Sequence, residues 1–301
     1  MQIRPITFQT NSNISIVQFS TSEKNTLEHI SGPKALEENY IILKEVSEQA
    51  SVNKIFLENN SDNFVFFMDG DILTGAKQNR VLNTSVFLAP NSKIILPVSC
   101  VEQGRWNYSK PVFDKSPDIG TSILRAKKAK SVSENLKRNK SFSADQGEVW
   151  EEVHLYCMSA EEDSCTSDYN VIYERKFEEF DKILKSFKVE NDVNGITVFV
   201  KNKLLHIEIF NRTDIYNEYF SKIIRSASLE NYRLKSSDKI MTEAEALYKT
   251  HTLLDDVERL ECFDTPGVGV GIEKRFESEE LTGFELSYLN KLIHSTILKL
   301  N

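Results

Sequence analysis

The sequence predicts an α+β fold, on three observations. Short apolar runs separated by turn residues fill its first third, amphipathic segments fill its middle, and strand-like runs return at its end. The early runs leave no room for crossover helices between them, so their pairing is expected to be largely antiparallel.

The elements follow in order. Strands are expected over residues 14–19, 41–43, 54–57, 64–68, 81–88 and 93–98, divided by breakers such as Asn59-Asn60-Ser61-Asp62-Asn63 and Ala89-Pro90-Asn91-Ser92. One or two helical turns at 33–38 interrupt them. Central helices are expected over 119–138, 145–158 and 168–187. In the last, Val171, Ile172, Phe177, Phe180, Ile183, Leu184 and Phe187 lie close to a 3.6-residue stripe and should face the core. A hairpin follows, 196–200 and 204–210 around Lys201-Asn202-Lys203, then helices at 214–229 and 242–260 and strands at 268–276, 281–288 and 291–298. A single domain over 1–301 is expected. The short polar link at 188–194 marks where subdomains 1–187 and 195–301 would meet.

Composition narrows the function. A chain of 301 residues with 40% hydrophobic residues can bury a full core. Its apolar stretches are strand-sized, far short of the roughly 20 residues of a membrane span. Met1-Gln2-Ile3-Arg4-Pro5-Ile6 lacks the pattern of a secretory signal, so a cytoplasmic protein is expected. Cys100, Cys157, Cys165 and Cys262 show no CxxC spacing, which argues against disulfides and structural zinc, and no metal or cofactor is expected. The net charge of −8 disfavours nucleic acid and anionic membranes as partners. One basic segment departs from this average: Arg125, Lys127, Lys128, Lys130, Lys137, Arg138 and Lys140 against the single Glu134. It is a local anion-seeking patch. Nothing in the sequence sets the oligomeric state, and a homo-oligomer is compatible with it.

Two polar motifs stand out. Gly75-Ala76-Lys77-Gln78-Asn79-Arg80-Val81-Leu82-Asn83 gathers amides and cations suited to carboxylate, phosphate, ribose hydroxyls or base edges. An exposed polar hairpin would have the same composition. Val98-Ser99-Cys100-Val101-Glu102-Gln103-Gly104-Arg105-Trp106 adds a thiol, a carboxylate, an amide, a guanidinium and an indole. Cys100 would be reactive with a cation beside it, and Glu102 could serve as general acid or base if burial raised its pKa. Equally, Cys100 could be a buried inert thiol and Glu102 the salt-bridge partner of Arg105. Trp106 could stack on a base or cap the core. Near Ser143-Ala144-Asp145-Gln146-Gly147, Ser143 or Asp145 reads as a helix N-cap, at an end that also attracts anions.

Met68-Asp69-Gly70-Asp71 admits two readings. Asp69 as nucleophile with Asp71 as acid, and Asp255-Asp256 as a metal pair, would make a phosphatase, but that fold needs alternating βα units where this chain shows strands. An Asp-Gly-Asp hairpin turn fits better.

The two polar motifs, together with Asp145-Gln146-Gly147 and Trp150, resemble the ADP-ribosylglycohydrolase- and rhodanese-phosphatase-associated protein domain family, whose members span about this length. Leu205 to Phe210, Ile224-Arg225-Ser226, Gly267-Val268-Gly269 and Leu281-Thr282-Gly283 look similar to further family segments, with Glu208 where the family more usually has Asp. The resemblance implies the company of enzymes of ADP-ribose and NAD metabolism, and hence a ligand containing ADP-ribose. It implies no particular reaction. The expected ligand set is Lys77, Arg80 and Arg105 on phosphates, with Gln78, Asn79, Asn83 and Gln103 on hydroxyls or base. Trp106 would stack, Arg125, Asp145 and Gln146 would add to the set, and Cys100 and Glu102 would be the reactive pair if chemistry occurs. Hydrolysis or transfer on the nucleotide and sequestration of a nucleotide immune signal are both open. The alternatives are a structural protein whose motifs are internal networks, and the Asp69-based phosphatase.

Overall fold

The computed structural model describes residues 2–162, 166–235 and 240–300, so Cys165 lies outside the described residues. The chain opens with β1 (Ile3–Asn11) and β2 (Ile14–Thr21), then β3 (Ile30–Ser31), α1 (Gly32–Glu37), β4 (Ile41–Glu45) and β5 (Lys54–Asn59). Next come β6 (Val65–Phe67), β7 (Asp71–Gly75), β8 (Arg80–Leu82), β9 (Val86–Leu88), β10 (Lys93–Cys100) and β11 (Phe113–Ile119). The middle holds α2 (Ser122–Asn139), α3 (Gln146–Ser159), α4 (Tyr169–Arg175) and α5 (Phe177–Leu184). The remainder is β12 (Gly195–Val200), β13 (Lys203–Phe210), α6 (Thr213–Arg233), α7 (Glu243–Glu258), β14 (Cys262–Pro266), β15 (Val268–Gly269), β16 (Ile272–Glu277), β17 (Leu281–Tyr288) and β18 (Lys291–Lys299). The architecture is α+β.

Three sheets carry it. An eight-stranded sheet runs β1-β2-β12-β13-β18-β17-β16-β14 and is antiparallel throughout, so the first hairpin joins strands from the far end of the sequence through β2 and β12. A six-stranded sheet runs β11-β7-β8-β10-β5-β4, and a small one runs β15-β9-β6-β3 with two parallel pairs.

Alternation along the strands builds a core on each face. Val17 and Phe19 of β2 meet Leu253 and Leu254 of α7, whereas Ile14 and Ile16 join Tyr216, Tyr219 and Ile223 of α6. In the six-stranded sheet Leu73, Leu82 and Val98 pack against Val65, Phe67, Val86 and Leu88 of the small sheet. Ile72, Val81 and Val101 face the helices α3 to α5 through Val149, Tyr156, Tyr169 and Phe180.

Four expectations need correction. The run 268–276 is two strands, β15 in the small sheet and β16 in the large one, parted at Gly269 and Gly271, whose φ of 88° and 103° break the extended backbone. The run 81–88 is two strands in different sheets, because Asn83, Thr84 and Ser85 break the ladder between them. Their side chains find buried partners in Ser99, Glu273 and His294. The helix at 168–187 is interrupted at Lys176, whose φ of −94° and ψ of 13° end α4 and start α5. The interruption turns Phe177 out of the expected stripe. It is 51% exposed beneath the Arg225 guanidinium, while Ile172, Phe180 and Phe187 stay buried. The Asp-Gly-Asp turn links β6 to β7 across two sheets and closes no hairpin.

Candidate functional site

The two polar motifs meet at one end of the six-stranded sheet, because β8 pairs with β10 so that Arg80 lies opposite Cys100. The turn from β7 into β8 requires Gly75, with φ of 115° and the Val112 carbonyl 2.7 Å from where a Cβ would sit. Gly75 donates its N–H to Asn79 Oδ1 at 3.0 Å, which fixes the turn.

Beneath the surface the polar groups bond one another. Arg105 donates to both oxygens of Glu102 at 2.7 Å each, and to the carbonyls of Ala76 (2.7 Å), Asn107 (2.8 Å) and Gly75 (3.2 Å). Glu102 also accepts the Asn79 N–H at 3.0 Å, and the Asn79 amide donates to Asp168 at 3.0 and 3.2 Å. Burial, with the Glu102 charge adding, pushes the Asp168 carboxyl up to about 6. On the other face Gln78 Oε1 accepts from Arg80 at 3.1 Å and from the Cys100 thiol at 2.9 Å. Burial pushes the Cys100 thiol up to about 11, against the pull of Arg80, so little thiolate exists at neutral pH.

The remaining sequence-predicted residues are placed as follows. Gln146 bonds the N–H and C=O of Cys100 at 2.8 and 2.9 Å and so pins α3 to the edge of β10. Asp145 caps α3 by accepting from Gly147 and Glu148. Asn83 lies at the far end of β8, bonded to Ser99 and Phe142. Three motif groups reach solvent: Gln103 and Trp106 are exposed and Lys77 is half-buried. The Lys77 ammonium lies 5.8 Å from the Trp106 ring and 5.2 Å from that of Tyr108, and these rings are 42% and 51% exposed. The Arg80 guanidinium lies 5.8 Å from the inner side of Trp106.

Sequence reasoning missed Tyr108, Glu45 and Asp168. Tyr108 is two residues past Trp106 and could have been included on composition. Glu45 and Asp168 are brought in by β4 and by the loop before α4, far away in sequence, with no local signal.

Arg125 does not join this corner. It sits in a buried charged seam between α2 and the eight-stranded sheet, donating to both oxygens of Asp69 at 2.9 Å and lying 2.8 Å from Glu208. Burial opposes ionisation of Asp69 and Glu208, but Arg125 outweighs it and holds both carboxyls below their usual range. Burial pushes Lys128, beside them, down to about 7. Asp69, Glu208 and His294 place one donor atom each within 4.8 Å of one another. Arg125 already binds both carboxylates, so a divalent ion here would lie against a buried guanidinium and leave the seam with excess positive charge. Asp69 has no free oxygen face for nucleophilic attack, Asp71 is tied to Tyr219 and Lys222, and Asp255 and Asp256 are exposed on α7. The strands β8, β9 and β10 follow without intervening helices, so the βα alternation that the phosphatase reading requires is missing.

Among the described residues no helix is long and apolar enough to cross a membrane. The family model of the ARG and Rhodanese-Phosphatase-superfamily-associated Protein domain matches residues 2–298. No curated protein and no solved structure matches the chain. The chain belongs to that family, whose name associates it with the ADP-ribosylglycohydrolase and rhodanese-phosphatase superfamilies.

Proposed function

We propose, from membership of this family, that the protein binds an NAD-derived or ADP-ribose-derived nucleotide in the cytoplasm without transforming it, and so senses or sequesters a nucleotide signal. The observation that carries this reading is the exposed corner of Lys77, Trp106 and Tyr108. There a cation lies over two solvent-facing aromatic rings. A base stacked on such a ring gains about 1–3 kcal/mol, and Lys77 offers a phosphate a point charge. Binding is favoured over chemistry by the state of the two reactive candidates. The Cys100 thiol is buried and protonated, and both Glu102 oxygens are engaged by Arg105. Arg105, Glu102, Asn79 and Asp168 form the frame that holds the corner, and Gln146 braces it from α3.

Calorimetry with ADP-ribose and NAD tests this. Trp106→Ala is expected to weaken binding by about tenfold, in line with one lost stacking contact, with the melting temperature nearly unchanged. Arg105→Ala is expected to lower the melting temperature by several degrees, since it leaves buried Glu102 without its counter-ion. Nucleotide released by heating should be intact. New products would replace the reading with catalysis, and absence of binding to every nucleotide would reject it.

A further inference from the structure

The corner hides a second cation. Arg80 is fully buried, yet its Nε has no hydrogen-bond partner. Its remaining contacts are weak: Ser51 O at 3.4 Å and the Glu45 carboxylate at 3.6 Å, with Gln78 Oε1 at 3.1 Å the one good bond. Glu45 Oε2 is also buried without a partner. A guanidinium has five donors, so this one is held under-used in a site closed to water.

What closes the site is residues 46–53, the connection from β4 to β5. Its main-chain carbonyls cap three polar groups in a row. Glu48 O accepts from Lys77 Nζ and Ser51 O from Arg80, and Val52 O lies 3.4 Å from the Cys100 sulfur. The loop brings little apolar packing, since Val46 and Val52 are 38% and 39% exposed and Ser47, Glu48, Gln49 and Asn53 face solvent. Ala50 adopts a left-handed φ of 62°, which is disfavoured for a residue with a Cβ. A segment with few buried contacts and a strained backbone belongs to the part of a fold that opens most easily.

We propose that Lys77 and Arg80 form a diphosphate subsite whose place is held by the carbonyls of Glu48 and Ser51, and that residues 46–53 swing away as the ligand enters. This rests on the nucleotide-binding reading of the same corner. Neutral carbonyl dipoles satisfy the two cations only in part, and phosphate oxygens supply stronger, charge-assisted bonds to the same donors.

The experiment uses the full chain with inorganic pyrophosphate and with ADP-ribose. Binding is followed by calorimetry and loop position by endoproteinase cleavage after Glu48, identified by mass. Both ligands are expected to bind and to accelerate that cleavage several-fold. Ala50→Gly relaxes the left-handed residue, favours the closed loop and is expected to lower both affinities about fivefold. Binding of ADP-ribose with unchanged or slower cleavage after Glu48 overturns the loop displacement and leaves the nucleotide reading standing. Binding of ADP-ribose but not pyrophosphate overturns the diphosphate subsite. Binding of neither ligand rejects both this inference and the reading beneath it.

Discussion

At the scale of single residues, the strongest effects come from charges placed where water cannot follow. Glu230 on α6 is fully buried and accepts from the Tyr156 hydroxyl at 2.6 Å and the Ile123 N–H at 3.0 Å. Burial pushes its carboxyl up to about 7 from an ordinary 4.5. The folded chain therefore keeps a proton that the unfolded chain has lost. The stability this contributes is full below pH 4.5 and is lost as pH rises through 7. Glu230→Gln does not titrate, so its stability relative to the parent should rise by roughly 3 kcal/mol between pH 4 and pH 8, measured by denaturant unfolding. A pH-independent difference would show that Glu230 is ionised in the fold. His206, which burial pushes down to about 4, titrates in both proteins and cancels in the comparison. The residue scale is also where the sequence was least legible. Arg105, Asn79 and Gln146 have the donors a nucleotide would want, but backbone carbonyls and carboxylates want the same donors. Only three-dimensional placement distinguishes Arg105, bonded to three carbonyls and Glu102, from Lys77, whose ammonium has the one Glu48 carbonyl and two exposed rings beside it.

At the scale of elements, local signals served well where one end of an element is set by its own side chains. Helix α3 begins where Asp145 accepts two backbone N–H groups, and that boundary was readable from the sequence. Strands β1, β7, β11 and β14 were not readable. β1 carries Pro5 and an irregular register, and β14 is an edge strand with alternating exposed positions, so neither presents the apolar run that marks a buried strand. Asp145→Ala is expected to cost about 1 kcal/mol, seen as a melting point lowered by a few degrees, with nucleotide affinity unchanged. A fall in affinity at unchanged stability would return Asp145 to the ligand set.

At the scale of the whole molecule, contacts bind the two ends of the sequence together. β2 pairs with β12 over six residues, and the charged seam joins Asp69 and Arg125 to Glu208 and His294. Fragments 1–187 and 195–301 expressed separately are therefore expected to show no cooperative thermal transition, and to regain one when mixed. Independent melting of either fragment would establish a subdomain boundary at the polar link. The α+β class was legible because it depends on the succession of element types, which periodicity reports. The seam was not, because residues 69, 125, 208 and 294 are strangers in sequence.

The order of the large sheet also bears on how the protein is made. β18 lies between β13 and β17, so a slot beside β13 stays open while residues 211–290 are being synthesised. At about 5–20 residues per second, the nascent chain presents that bare edge for several seconds. Insertion of one late strand then completes the sheet, so the ribosome-bound chain is exposed to edge pairing with its neighbours until that moment.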